Sequence, residues 1–504
     1  MTRTLRESSF PDAAEGELLL GRGRELLEPV ARVIRTTWIY GVLAVYGALV
    51  FYLVPHHEPW FDEAQAWLIA RDVSPQELFV HYLRYEGTPG LWHLLLMVPA
   101  KLHLPYQTLN VISASFGVLG TYLFLRHSPF PWYVKLLFPF SFYVFYQYAI
   151  VARSYSLLPV LFFLLAVTYR SKMQSPFRFA IALILLANVS IHALIVATCV
   201  LGIHAWDVRV AWAQLDRSLR RRQLLACALF GATAVLLVLV LSPPPDIFGP
   251  GTSFSPSVER FVLISLRILN AATAEQRPVL IAVVALTALW CWRTRTLWLI
   301  GLPALAMLGF LTIKYYNVWH EGVLFLVWVF VLWVGVERWR GRVDRRLEMA
   351  MMAVLAVVLA FQAVWSAKSY LYDYSNPYSG STALAAYIKQ NHLEGRKIDA
   401  ARYSAISVEP YFDHNLFANY HHGGPPTFFY WSTHEQLSQE QTPIFQQVVA
   451  DRPDYVVYAD KFTWDPHNPE LPGYRIVAHF PGRIYWKNRF LENDNYVLYQ
   501  RLQG

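Results

Sequence analysis

The sequence predicts a polytopic α-helical membrane protein of about 11–12 transmembrane segments, followed by a C-terminal extracytoplasmic α/β domain. Three observations predict it. Of 504 residues, 55% are hydrophobic and 15% charged, more apolar side chain than a soluble core of this length requires. Runs approaching the roughly 20 apolar residues that cross a bilayer recur at 36–55, 88–104, 107–126, 132–150, 154–169, 177–206, 223–242, 278–293, 297–313, 318–336 and 348–366. From 367 to 504 the long apolar runs stop, and Pro, Asn, His and Asp become frequent.

The formal net charge of +8 is concentrated in short segments between apolar runs, at Arg217, Arg220, Arg221 and Arg222 and again at Arg338, Arg340, Arg342, Arg345 and Arg346. That is the pattern of cytoplasmic loops, in contact with anionic lipid headgroups, and not of a nucleic-acid groove. Residues 1–35 carry Arg3, Arg6, Arg22, Arg24, Arg32 and Arg35, so they are expected in the cytoplasm, with run 36–55 a retained signal anchor rather than a cleaved peptide. Domain organisation follows: a basic N-terminus 1–35, a membrane domain 36–366 with an outer loop 56–86, and a soluble domain 367–504. The style of the sequence suits a bacterial inner membrane. Cys199, Cys227 and Cys291 all fall in apolar runs and form no disulfide framework.

The positive-inside rule orders the remaining elements. Arg170, Lys172 and Arg178 belong inside, so run 154–169 descends and Arg153 lies at the outer face. The three runs between 87 and 150 then make two full crossings, with 88–104 partial or tilted. Run 177–206 is too long for one crossing yet starts and ends beside basic loops. It is expected to break near Ser190-Ile191-His192 at the outer face, where irregular backbone must be enclosed by protein or line a cavity. Segment 223–242 rises, 243–277 is a Pro- and Gly-rich outer loop, and 278–293 descends. Segment 297–313 places Lys314 to Glu321 outside, 318–336 descends and 348–366 rises. Asp62, Glu63, Glu86, Arg153 and His192 are therefore expected together at the outer surface. In the tail, Thr382–Asn391 patterns as a helix, while 453–458, 474–478 and 496–499 alternate as strands.

The chemistry-bearing residues cluster accordingly. Trp60-Phe61-Asp62-Glu63-Ala64 puts two carboxylates just outside the first apolar run, suited to general-base work or to a solvated interfacial turn. Arg153 between two apolar runs suits a phosphate through its planar fork, or a headgroup anchor. His192 at the expected break suits a ligand contact or a satisfied structural histidine, and Lys314 and His320 beyond run 297–313 suit polar ligand contacts or interfacial anchoring. His56, His57, Glu58 and Asp62 offer donors for a divalent ion, but adjacent histidines lack helical ligand spacing, so no metal and no other cofactor is expected. No phosphate-cradling glycine loop or nucleophile elbow occurs.

Order and spacing of these elements resemble the membrane glycosyltransferases of the GT-C fold, in particular the group containing protein O-mannosyltransferases and aminoarabinose transferases. Asp62-Glu63 matches the acidic motif of that group's first outer loop. Glu86-Gly87-Thr88-Pro89-Gly90-Leu91 matches its polar-Gly-His-Pro-Pro-Leu stretch, with Thr88 and Gly90 replacing His and the second Pro. Ala152-Arg153-Ser154-Tyr155-Ser156-Leu157 is similar to its Ala-Arg-x-Tyr-x-Leu element. The resemblance is recognisable over about 36–200, looser to 370, and absent from the tail.

The resemblance implies an inverting hexosyl- or pentosyltransferase that takes its sugar from a polyprenyl phosphate and passes it to an acceptor (glycan, lipid or protein) at the outer membrane face. Asp62, with Glu63 second, becomes the catalytic base; Arg153, Lys314 and His320 bind the donor phosphate; Glu86, Tyr155 and His192 bind substrate. The alternative is a transporter or flippase for a lipid-linked or small polar solute. Against it, the centres of the apolar runs are nearly free of charged residues, which transporters place near the midplane.

Overall fold

A computed structural model of the chain describes residues 37–248, 257–314, 316–339, 344–438, 441–460 and 469–502. The N-terminal arginines and Arg340 and Arg342 lie outside the described residues. Fifteen helices carry the argument: α1 (Thr37–Leu53), α2 (Phe61–Asp72), α3 (Leu91–Lys101), α4 (Thr108–His127), α5 (Leu158–Tyr169), α6 (Pro176–Ala187), α7 (Ile191–Ala211), α8 (Arg217–Val240), α9 (Val258–Thr273), α10 (Arg277–Arg293), α11 (Leu297–Ile313), α12 (Glu321–Trp339), α13 (Arg345–Ser375), α14 (Ser381–Gln390) and α15 (Gln441–Asp451).

Among the described residues, five helical stretches are long and apolar enough to cross a membrane, those built on α4, α7, α8, α12 and α13. The pair α9–α10, bent by 95°, makes a sixth if it counts as one broken span. Shorter apolar helices include α1, α3, α6 and α11; α3, with 11 residues, is only about 16 Å long. The chain is thus a largely helical molecule with several membrane-length apolar helices, compatible with membrane insertion, and a small C-terminal sheet region.

Three expectations change. Run 132–150 is not one helix. After Pro131 it forms a six-residue helix, Trp132–Leu137, a 3-10 turn at Phe138–Phe140 around Pro139, and a π turn at Tyr143–Gln147. The prolines stop regular pairing, and residues 141–152 are all buried, so this irregular backbone is enclosed by protein. Loop 56–86 is largely helical, through α2 and the turns between Pro75 and Glu86. Segment 243–277, read as a loop from its Pro and Gly, contains α9. Ser257 caps that helix by accepting from the Arg260 N–H at 3.1 Å. The chain then turns at Glu275, φ +55°, into α10.

Run 177–206 does break, into α6 and α7 at Asn188–Ser190, where the Ser190 hydroxyl accepts from the Ala193 N–H at 3.2 Å. At the centre lies α12, buried along its apolar length, as an all-round apolar helix must be. It packs against α5, α9 and α11.

Helix α13 runs 31 residues and delivers the chain into the C-terminal domain. There a four-stranded sheet has the order β1-β2-β6-β3, from β1 (Ile398–Ala401), β2 (Tyr455–Asp460), β3 (Tyr474–Phe480) and β6 (Asn495–Arg501). β1 and β2 are parallel; β6 pairs antiparallel with β2 and β3. A separate hairpin joins β4 (Arg483–Trp486) to β5 (Arg489–Asn493).

Two contacts dock this domain on the helical part. The segment 403–431 lies along α2: the Arg71 guanidinium donates to the Phe412 carbonyl (2.8 Å) and the Thr427 hydroxyl (2.7 Å), and Asp72 accepts from the Thr427 N–H at 2.7 Å. The β4–β5 hairpin inserts between α9, α12 and α13.

Candidate functional site

The site is built on the N-terminus of α2. Asp62 and Glu63 occupy its first turn, where the helix dipole favours carboxylates, yet their environments are opposite. Glu63 is fully buried. Its Oε2 accepts from the Trp60 N–H (3.1 Å) and faces His57 Nε2 (3.2 Å), while Oε1 accepts from the Ala152 N–H (2.7 Å) and Asn110 Nδ2 (3.3 Å). Both oxygens are engaged by protein groups. Glu63 therefore ties the segment after α1, the start of α2, α4 and the 143–153 turn together and is unsuited to take a substrate proton.

Behind it, His57 Nδ1 meets Asp373 Oδ2 of α13 at 2.8 Å. Burial alone pulls the His57 imidazole down, but Asp373 and Glu63 outweigh it and hold the group up at about 10. The Asp373 carboxylate also accepts from the Tyr146 hydroxyl at 3.0 Å. His57 is committed to this triad, His56 packs its ring on Tyr374 at 4.7 Å, and Glu58 accepts from the Ser379 N–H at 3.2 Å. The four residues that could have supplied metal donors thus turn to different partners. Among the described residues no group of three or more His, Cys, Asp or Glu is placed to hold a metal ion.

Asp62 keeps a side chain 26% exposed and pairs with Arg153 Nη2 at 2.9 Å. Arg153 arrives from the buried irregular segment, in extended conformation just before the 3-10 turn Ser154–Leu157. Its guanidinium lies over two rings, Trp319 at 5.1 Å and Tyr155 at 5.3 Å, contacts that hold a planar cation in place. Trp319 also stacks on Trp60 at 5.3 Å. Next along the chain, buried His320 lies edge-on to Tyr155 at 6.2 Å and tilts against His192 at 4.0 Å between ring centroids. Both His192 ring nitrogens are buried and have no hydrogen-bond partner among the described residues. Asp62, Arg153, Tyr155, His320 and His192 are thereby linked through a continuous set of contacts.

Glu86 joins from the turn before α3. It is half-buried, accepts from Gln65 Nε2 at 2.8 Å, and burial pushes its carboxyl up to about 7; the Gln65 bond works against that rise and the Asp62 charge adds to it. Gly87 follows in the left-handed region, φ +62°, a conformation glycine adopts at no steric cost. Gly90, at the N-terminus of α3, sits where a Cβ would come within 3.1 Å of the Leu83 and Phe79 side chains, a close fit that those side chains would have to yield to. Lys314 is exposed beyond α11 and makes no hydrogen bond or ion pair with this cluster among the described residues.

Residues from the C-terminal domain complete the surroundings, and sequence reasoning missed all of them. Gln65, one turn along α2 from Asp62, exchanges hydrogen bonds with the backbone of Phe429 at 2.7 and 2.9 Å. Phe61 meets Tyr403 and Trp431 edge-on at 5.1 and 5.7 Å. Trp486 lies 4.2 Å from Trp319. The only available signal was the aromatic density of the tail. Chemically, the arrangement offers a partly exposed carboxylate beside a ring-mounted arginine, with a second carboxyl nearby that burial raises to about 7. No protein-family model matches the chain, and no curated protein matches it either.

Proposed function

We propose that this chain is an integral membrane glycosyltransferase of the GT-C type, moving a hexosyl or pentosyl group from a polyprenyl-phosphate donor to an acceptor at the outer membrane face. The N-terminus and basic loops face the cytoplasm, the C-terminal domain is extracytoplasmic, and a bacterial inner membrane suits both. The observation that carries the reading is the Asp62–Arg153 pair, a carboxylate and a guanidinium 2.9 Å apart, both partly exposed and mounted on buried supports. In the reaction, the acceptor hydroxyl or amine attacks the anomeric carbon, and Asp62 takes its proton. The bond from that carbon to the phosphate oxygen breaks with its electron pair, leaving polyprenyl phosphate, whose negative charge Arg153 stabilises. Direct displacement inverts the anomeric centre.

Glu86, whose carboxyl burial raises to about 7 so that it is only partly ionised at pH 7, supplies a hydrogen bond to the sugar or acceptor. Tyr155, His192 and His320 line the same contact set. Lys314 contributes from the outer end of α11 by charge rather than by contact.

The test is single-turnover release of polyprenyl phosphate by the purified full-length protein in nanodiscs, with several lipid-linked sugars and a membrane extract as acceptor source. Release by the wild type and none by Asp62→Asn supports the transferase. Absence of release with every donor overturns it, and solute movement in the same protein in liposomes then favours the transporter.

A further inference from the structure

Lys487, at the tip of the β4–β5 hairpin, is completely buried, a place ammonium groups occupy only when paired. Its Nζ donates to Glu321 Oε2 (2.7 Å), to the Ala271 carbonyl (2.8 Å) and to Glu275 Oε1 (3.3 Å). Three N–H bonds meet three acceptors, on α12, on α9 and just beyond α9. The rings of Trp365 (4.7 Å), Tyr143 (5.3 Å) and Phe142 (5.9 Å) enclose the charge. Glu321 is further held by the hydroxyls of Tyr143 and Tyr316.

Such a buried ion network adds little stability over well-packed apolar residues of the same volume. Its directional bonds do specify where the groups sit. Lys487 also accepts a left-handed backbone, φ +60°, which a non-glycine residue adopts at a cost.

What the hairpin holds is the turn that carries the site. Trp486 is fully buried, edge-on to Phe142 at 4.8 Å and to Trp319 at 4.2 Å. Lys487 grips Glu321, two residues further on. Both hairpin residues therefore act on the 319–321 turn, whose Trp319 ring supports the Arg153 guanidinium and whose His320 meets His192. From inside the bundle, Gln147 fixes the same turn by donating to the Trp319 carbonyl at 2.8 Å.

We infer that the β4–β5 hairpin is a positioning element of the transferase site: Trp486 and Lys487 set the Trp319–Glu321 turn and through it hold Arg153 where the donor phosphate binds. The inference rests on the transferase reading for the identity of the ligand. Neither hairpin residue touches substrate. The C-terminal domain is then part of the donor site rather than a cover over it.

Two measurements on the full-length protein in nanodiscs test this. The first compares wild type, Trp486→Leu, Lys487→Met and Lys487→Arg for binding of polyprenyl phosphate and for donor and acceptor KM. Folded Trp486→Leu and Lys487→Met should raise donor KM and weaken polyprenyl phosphate binding about tenfold through the loosened Arg153 support. Acceptor KM should stay unchanged, and Lys487→Arg should recover most of the binding. Unchanged donor KM in folded variants, or equal losses for donor and acceptor, overturns the inference.

The second measurement needs no donor. In a background lacking the three native cysteines, the rate at which an impermeant maleimide labels Asp62→Cys reports how far the Arg153 guanidinium on its Trp319 support shields position 62. Folded Trp486→Leu should raise that rate several-fold, and an unchanged rate overturns the inference. If wild type binds no polyprenyl phosphate while labelling still responds to Trp486→Leu, the transferase reading fails and the positioning role stands.

Discussion

Arg153 Nη2 lies 2.9 Å from Asp62 Oδ2, closer than the two groups could stay in the proposed transfer, with a sugar between them. In an in-line displacement the attacking oxygen approaches to about 3 Å on the side of the anomeric carbon opposite the departing oxygen, which is still bonded to that carbon before reaction. A base on one oxygen and a cation on the other are then separated by more than one hydrogen bond. On the proposed transferase reading, donor binding exchanges the Asp62–Arg153 contact for an Arg153–phosphate contact and releases the carboxylate toward the acceptor.

That exchange predicts opposite effects in one binding experiment. Asp62→Asn should abolish transfer yet bind polyprenyl phosphate as tightly as wild type or several-fold more tightly, because the competing anion is gone. Arg153→Ala should weaken the same binding by at least about tenfold, the scale of a lost charge-assisted hydrogen bond. Titrating the lipid phosphate into each variant checks both. Weaker binding by Asp62→Asn in folded protein would mean that Asp62 helps hold the donor instead of competing for Arg153.

The neighbouring carboxylate has a different part. Glu63 accepts from two backbone N–H groups and from Asn110, and pairs with His57. Removing it by Glu63→Ala leaves the Trp60 and Ala152 N–H groups and the Asn110 amide without this acceptor, and strips the buried imidazolium of one of its two carboxylates. A loss of about 3–5 kcal/mol in stability is expected, against less than about 1 kcal/mol for Asp62→Ala at its partly exposed pair. Thermal unfolding of the two variants in the same detergent measures the contrast, and equal midpoints would contradict the structural role given to Glu63.

How much of this was legible in the sequence follows the range of the forces involved. Long apolar runs such as 107–126 and 348–366 announce α4 and α13 because composition alone dictates burial. The break near Ser190 was legible because basic residues at both ends constrain a run too long for one crossing. Asp62 and Arg153 could be named from motif order, and they do meet. The unlike surroundings of Asp62 and Glu63 were not legible: they depend on Ala152, Asn110 and His57, which arrive from three other segments. Helix α9 was hidden because Pro and Gly before it outweighed its own Ser257 cap and apolar spacing. Lys487 was invisible for a simpler reason. A lysine in a polar tail gives no local sign that two glutamates, at 275 and 321, await it across the fold.

The His57 triad predicts a dependence of stability on pH. In the unfolded chain the imidazole titrates near its ordinary value of 6.5, whereas in the folded protein it is held at about 10 by Asp373 and Glu63 against the pull of burial. The folded state therefore binds the proton more tightly. The stability this contributes is complete below about pH 6.5, diminishes as pH rises above that, and is gone once pH passes about 10. The unfolding midpoint should fall between pH 7 and 10, and His57→Gln should lower stability at pH 7 while flattening that slope. Equal slopes for wild type and variant would show that the proton is not held on His57.

Two helix glycines with unlike surroundings give the last prediction. At Gly309 in α11 an added Cβ meets nothing within 4 Å, so Gly309→Ala should stabilise by up to about 1 kcal/mol through helix propensity. At Gly322, in the first turn of α12, the same atom would collide with the Tyr148 hydroxyl and the Tyr143 ring. Both rings are fully buried and cannot swing into solvent, and Tyr143 is hydrogen-bonded to Ala271 and Glu321. Gly322→Ala should therefore destabilise by about 1–3 kcal/mol, the cost of overpacking a filled core. Because the strain enters beside Glu321, it should also displace the Trp319–Glu321 turn. Donor binding in the fraction of Gly322→Ala that remains folded should fall, while that of Gly309→Ala stays at the wild-type level. Unfolding midpoints together with polyprenyl phosphate titrations of the two variants separate these effects, and undiminished binding by folded Gly322→Ala would show that α12 can absorb the extra methyl without moving Arg153.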